Sequence, residues 1–238
     1  MPEDAAPTRR DFADRTELAK ALADAVVANI NEALVVSGVA AIAVSGGTTP
    51  AKFFSELGKH KDVDWTKVYV TLVDERWVDE TSDRSNAQLV NEKMLQGPAA
   101  VAHFIPLYSG GDAPDAAAVE RTARQLETLP RRYAAVLLGM GNDGHTASFF
   151  PGGSNLPTAL DPNTPRGIIT MEAQDAGEPR LTFTFSSLQD ARLLVLHIEG
   201  EGKKDVLAKA EAPGEETEMP IRAILRRAAS PVEIYWAP

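Results

Sequence analysis

The stretch LLGMGNDGHTASFFPG, residues 137–152, decides how this chain is read. Gly139, Gly141 and Gly144 spell G-x-G-x-x-G directly behind the apolar run AAVLLG. That pattern can open a dinucleotide-binding helix, where the missing side chains let backbone approach a pyrophosphate. Such a use needs a helix starting at the third glycine and an acid about twenty positions on, at a strand end. Here His145 follows the third glycine, and Pro151, Gly152 and Gly153 stop the chain soon after. The acid near that spacing, Asp161, falls in a Pro-rich loop. The dinucleotide reading fails on context. What remains is a sharply turned loop that presents Asp143 and His145 two residues apart. Histidine is the side chain best suited to taking a proton from water near neutral pH.

Outward from that loop, the chain alternates strands and helices. Leu18, Leu22, Val26, Ile30 and Leu34 recur every fourth position and predict a helix ending near Gly38. VAAIAV reads as a buried strand, followed by the turn SGGTTP, with Thr49 as N-cap and Pro50 as first residue of a helix to Gly58. A second strand, KVYVTLV, runs into the polar loop DERWVDETSDRSN, and Ser85 caps a helix to Leu95. A helix near 115–129 precedes the strand AAVLLG. After the Pro- and Gly-rich segment 151–167 come short strands at GIIT, RLTFTF and RLLVLHI, two helices, and the closing strand VEIYWAP. Continuous apolar strands between helices predict an α/β fold: a Rossmann-like, doubly wound, mostly parallel sheet with helices on both faces. Ligands of such sheets bind beyond the carboxyl ends of the strands. The loops at 45–49, 74–86 and 139–148 all follow strands and should meet in one crevice.

The 238 residues suit one domain, 1–238, with the first 13 residues expected to be poorly ordered. A hydrophobic content of 44% with 24% charged residues is ordinary for a soluble protein. The absence of cysteine excludes disulfides, thiolate zinc sites and a cysteine nucleophile. The polar start MPEDAAPTRRDF is no secretory signal and no run is long enough to span a bilayer, so the cytoplasm is the expected compartment. A net charge of −10 argues against nucleic-acid and membrane partners, so an anionic substrate must be held by local donors. The histidines at 60, 103, 145 and 197 show no metal-ligand spacing, and no metal site is expected.

The loops carry chemistry of two kinds. In SGGTTP the glycines permit close backbone approach, and Ser45, Thr48 and Thr49 offer hydroxyls ahead of a helix N-terminus. This is either an anion cradle or a plain strand-to-helix turn. Asp74, Glu75 and Arg76 either hold a sugar hydroxyl or form a solvated ion pair. Lys203 and Lys204 open a helix, where a cation is disfavoured unless an anion joins it. Arg180 precedes the strand LTFTF and is ambiguous alone. His197, inside an apolar strand, reads as a core residue, while His60 and His103 carry no signal. No G-x-S-x-G elbow exists to support a serine hydrolase.

Six separated motifs, AVSGGTTP, VDERWV, SNAQLV, GMGNDGHTASFFPG, PRLTFTF and PVEIYWAP, together resemble the 6-phosphogluconolactonase family, in order from about residue 10 to the C-terminus. The family shares a Rossmann-like fold class with glucosamine-6-phosphate deaminases and ribose-5-phosphate isomerases. The resemblance implies hydrolysis of 6-phospho-D-glucono-1,5-lactone in the oxidative pentose phosphate pathway, with no cofactor and with a monomer or homodimer as the working form. It makes His145 the general base, places Asp143 beside it to orient the imidazole, and faces Asp74 and Arg76 to the sugar. Ser45, Gly46, Gly47 and Thr48, with Arg180 and Lys203, would grip the phosphate. Whether Arg76 meets the phosphate or the developing oxyanion stays open. Deaminases of the same fold class read like I-A-F-N-E-P after the histidine. This chain has Phe150 where they carry the glutamate. A non-catalytic sugar-phosphate sensor would need a DNA-binding domain ahead of the fold, and one amphipathic helix fills most of that space.

Overall fold

The structure, a computed structural model, describes residues 6–174 and 176–238. The first long helix, α1 (Arg15–Ser37), begins where Asp14 accepts hydrogen bonds from the amides of Thr16 and Glu17. It ends at Gly38, whose φ of 75° no side chain opposes. Leu18, Leu22, Val26 and Ile30 along its inner face are fully buried, each contributing about 1.5–3 kcal/mol by removal from water. They pack on a sheet that includes β2 (Ala40–Val44) and β6 (Tyr133–Leu138), buried at every position. Strands with no exposed position are covered on both faces, which explains their unbroken apolar sequences.

Seven strands make the main sheet, and every pairing in it is parallel. From one edge to the other they are β1 (Thr8–Asp11), β10 (Val232–Ala237), β9 (Ala191–Glu199), β6, β2, β3 (Val68–Leu72) and β5 (His103–Ile105). A separate antiparallel sheet joins β4 (Asp74–Arg76), β8 (Arg180–Phe183) and β7 (Ile168–Met171). No helix among the described residues is long and apolar enough to cross a membrane.

Three sequence expectations change. Residues 8–11 are not poorly ordered: they form an edge strand on β10, held where Arg9 lies over Trp236 and Phe12 stacks on Tyr235. Residues 1–5 of the same expectation lie outside the described residues. VEIYWAP is the last strand of the chain, as expected, and with β1 beside it lies inside the sheet rather than at its edge. Asp74–Arg76, read as loop, is a short strand paired to β8. Finally, Thr49 does not cap helix α2 (Ala51–Leu57): Pro50 occupies that position, and no side chain caps it.

Candidate active site

Three segments follow the carboxyl ends of the parallel strands β2, β3 and β6 and line one cleft of about 250 Å³. The first follows β2. Ser45, Gly46, Gly47, Thr48 and Thr49 all line the cleft, and none of the amides of residues 46–49 donates to another described residue. Gly47 takes φ 86°, which turns the backbone in a way a side chain would resist. Four amides in succession without a partner of their own are donors of the kind that suits an anion. The plain-turn reading accounts less well for so many idle donors.

The second wall comes from β4, where strand alternation separates three charges. Asp74 and Arg76 line the cleft. Glu75 points away and is fully buried at the start of helix α3 (Asn86–Lys93), accepting from the amides of Arg76, Asn86 and Ala87 and from Ser85 Oγ. Burial pushes its carboxyl up to about 7, against the opposing pull of those amides. Glu75 therefore anchors β4 while its neighbours face the cleft. Asp74 is fixed by Ser148 Oγ, and Arg76 by the carbonyl of Arg84.

The third wall is the glycine loop behind β6. It is closed on itself by Gly141 N donating to His145 O at 2.8 Å and Thr146 Oγ1 donating to Gly139 O at 2.8 Å. Asp143 Oδ1 stands 2.6 Å from His145 Nδ1 and also accepts from the His145 amide at 3.1 Å. Burial alone would raise the Asp143 carboxyl, but the hydrogen bonds and charge of His145 win and hold it at about 2. An anionic Asp143 fixes the Nδ1–H tautomer, which leaves Nε2 as the basic atom. Gly141 is required by space: a Cβ there would stand 2.1 Å from His145 Nδ1. Phe150 packs against the imidazole at a ring distance of 4.7 Å.

Lys203, near the start of helix α7 (Glu201–Glu211), reaches the cleft and donates to Asn142 Oδ1 at 2.7 Å. Burial lowers its ammonium, partly offset by Asp143. The cleft thus gathers His145, Asp74, Ser45, Gly46, Gly47, Thr48, Arg76 and Lys203, all anticipated from sequence. Asp143 sits directly behind the imidazole.

Arg180 does not join them. Although it pairs with Arg76 in the β4–β8 register, its guanidinium is buried and spends its donors on Ala176 O, Glu178 O and Glu178 Oε2. Its place is behind Asp74 and Arg76, whose charges it feels, rather than on the cleft wall. Conversely, His197 was read as core but lines the cleft, with Nε2 3.2 Å from Glu199 Oε1. Its signal was a lone polar residue in an apolar strand with an acid two positions on, hence on the same face. Asn86 lines the cleft as well; it stands in the SNAQLV motif, but no role was assigned to it from sequence.

Residues 13–236 match the family of glucosamine-6-phosphate isomerases and 6-phosphogluconolactonases. A 6-phosphogluconolactonase of Rhizobium meliloti (strain 1021) is 60% identical over 227 residues, covering 95% of this chain and 97% of that one. The crystal structure of a 6-phosphogluconolactonase from Shewanella baltica OS155 superposes with a TM-score of 0.93 at 36% identity, covering 99% of both chains. A monomeric glucosamine-6-phosphate deaminase shares the fold at a TM-score of 0.73 and 17% identity, over 97% of each chain. The chain belongs to the glucosamine-6-phosphate isomerase/6-phosphogluconolactonase family.

Proposed function

We propose that this protein hydrolyses 6-phospho-D-glucono-1,5-lactone to 6-phosphogluconate, as the names of its relatives state of them, with His145 as the general base. The observation that carries the reading is the His145–Asp143 pair at 2.6 Å, on a cleft whose other wall is a row of open amides. One wall moves a proton and the other holds an anion.

His145 Nε2 takes a proton from a water as its oxygen attacks C1 of the lactone. The C1 carbonyl electrons move onto oxygen, and Arg76 faces the sugar from β4, as the pocket lining allows. Collapse breaks the bond from C1 to the ring oxygen. The imidazolium returns its proton to that oxygen, and the new carboxylic acid ionises into solvent. Asp143 stabilises the imidazolium without itself being protonated. The amides of residues 46–49 and Lys203 receive the phosphoryl group, an anion that a protein of net charge −10 otherwise repels. Phe150 against the imidazole offers no carboxyl to assist ring opening of an amino sugar, which favours the lactonase over the deaminase reading.

The test is an assay of lactone opening with the spontaneous reaction subtracted, run on 6-phosphogluconolactone and on unphosphorylated gluconolactone. The phosphorylated lactone should be strongly preferred in kcat/KM. Equal turnover of both, or ammonia release from glucosamine 6-phosphate at a comparable rate, would overturn the assignment.

A further inference from the structure

His197 stands near the end of strand β9, ahead of the helix α7 that carries Lys203, and the chemistry above leaves it without a task. Only 5% of it is exposed, yet it lines the cleft. Its ring is held on two sides. Phe53, in the helix behind the 45–49 loop, meets it edge-on at 6.2 Å, and Glu199 Oε1 lies 3.2 Å from Nε2. Glu199 is itself nearly buried and is paired with Arg15 at 3.4 Å, so it is held as an acceptor. A carboxylate on Nε2 makes that nitrogen the N–H. Nδ1 makes no hydrogen bond to any described residue, and among the described residues no side-chain nitrogen sealed from solvent lacks a partner. Nδ1 therefore opens to the cleft.

We propose that His197 is a ligand of the substrate's phosphoryl group, and that binding draws one proton from solvent onto Nδ1. With Nε2–H committed to Glu199, Nδ1 meets a dianion favourably only as a second N–H. The proton leaves again when the product departs. The inference rests on the reading of this cleft as a phosphoryl site and says how the site discriminates. A dianionic phosphoryl group gains an imidazolium, whereas a neutral sugar end gains only a neutral ring.

The charges around His197 support that direction. On its own strand stands Glu199, with Arg15 of α1 behind it. Lys203 of α7 shares the cleft. Tyr235 of β10 is its partner in register and has its hydroxyl on Glu233. From α2 it meets the uncharged Phe53. His145, Asp74 and Arg76 share the lining of the cleft. Glu199 is the anion in direct contact, and its hydrogen bond fixes Nε2 as the donor, leaving Nδ1 to meet the phosphoryl group.

Calorimetric titration with 6-phosphogluconate tests this in the His145→Ala background, where any proton taken up cannot be that of His145. About pH 8 is suitable, because a phosphate monoester, with its second pKa near 6, enters already as the dianion. Measured in two buffers of different ionisation enthalpy, binding should show net proton uptake. Adding His197→Gln should abolish that uptake and weaken binding roughly 10- to 100-fold, the worth of one charge-assisted hydrogen bond. In the otherwise intact enzyme, His197→Gln should raise KM for the phosphorylated lactone and leave kcat and gluconolactone turnover nearly unchanged. Imidazole ¹⁵N shifts of the unmutated enzyme give the same answer without relying on a variant: phosphate should move the His197 Nδ1 resonance toward the protonated form. Tight binding with unchanged uptake in His197→Gln, or an unmoved Nδ1 resonance, overturns the inference while sparing the phosphoryl site. Failure of the His145→Ala protein to bind 6-phosphogluconate at all overturns the phosphoryl reading itself, and the inference falls with it.

Discussion

The cleft has two histidines, each tied to a carboxylate two residues away, and the two regions that carry them are built in opposite ways. His145 sits in a glycine loop, 31% exposed at its side chain, with Nδ1 held by Asp143 and Nε2 left open. His197 sits in a parallel strand, 5% exposed at its side chain, with Nε2 held by Glu199 and Nδ1 left open. A loop permits the water and the small movements that proton transfer requires. A strand end, walled by Phe53, restricts movement of the ring and suits a fixed contact. The same pair of residue types thus stands in two surroundings, one suited to chemistry and the other to grip.

Short of removing the imidazole itself, the sharpest way to break this contrast is Gly141→Ala. The new Cβ would fall 2.1 Å from His145 Nδ1 and 2.5 Å from Asp143 Oδ1, so the ring must leave its place. Displacing a catalytic group by about 1 Å costs on the order of 100-fold, and the loss should appear in kcat while KM holds. Steady-state kinetics decide it, and an unchanged kcat would mean the ring position is not critical. Asp143→Asn should come next, with kcat lowered about 10- to 100-fold, because a neutral partner stabilises the imidazolium less. Steady-state kinetics check it, and an unchanged kcat would separate Asp143 from the chemistry of His145.

Arg180→Ala sharpens the comparison from behind the cleft. Because its donors serve Ala176 and Glu178, its loss should lower unfolding free energy by roughly 1–3 kcal/mol. Activity on phosphorylated and unphosphorylated lactone should fall by the same factor. A loss confined to the phosphorylated substrate would instead put the guanidinium on the phosphate. The smallest effect concerns stability against pH. Asp143 is held at about 2 in the fold, below the ordinary carboxylate value near 3.9. A depressed acid contributes stability that is fully present above the unfolded value and is lost as pH falls through the folded one. The stability gap between the unmutated protein and Asp143→Asn should therefore be constant near neutrality and close as pH falls toward about 2. Denaturant midpoints at several pH values measure it, and a gap that widens in acid would reverse the sign.

Much of this was legible in the residues, for physical reasons that also mark where legibility stops. AAIAV and YAAVLL announce themselves because a strand covered on both faces must be apolar throughout. TRRD gives no such sign: as an exposed edge strand it is selected for charge, and only its partner β10 makes it a strand. The glycine loops were readable because close approach and unusual turns leave few residue choices. Arg180 was misplaced because a strand end sets which face a residue takes but not where a long side chain ends. His197 was hidden for the complementary reason. In a strand buried on both faces, a side chain lining a cleft and one packed in a core carry the same apolar neighbours.

The central claim is that the glycine loop performs the chemistry and the 45–49 loop with Lys203 performs the binding. The kinetics of His145→Ala on both lactones test it most directly, with spontaneous opening subtracted. The account predicts a kcat lower by roughly 10² to 10⁴ on either lactone, with a modest change in KM and 6-phosphogluconate still bound. Near-native turnover by His145→Ala, or a defect confined to KM for the phosphorylated lactone, would contradict it.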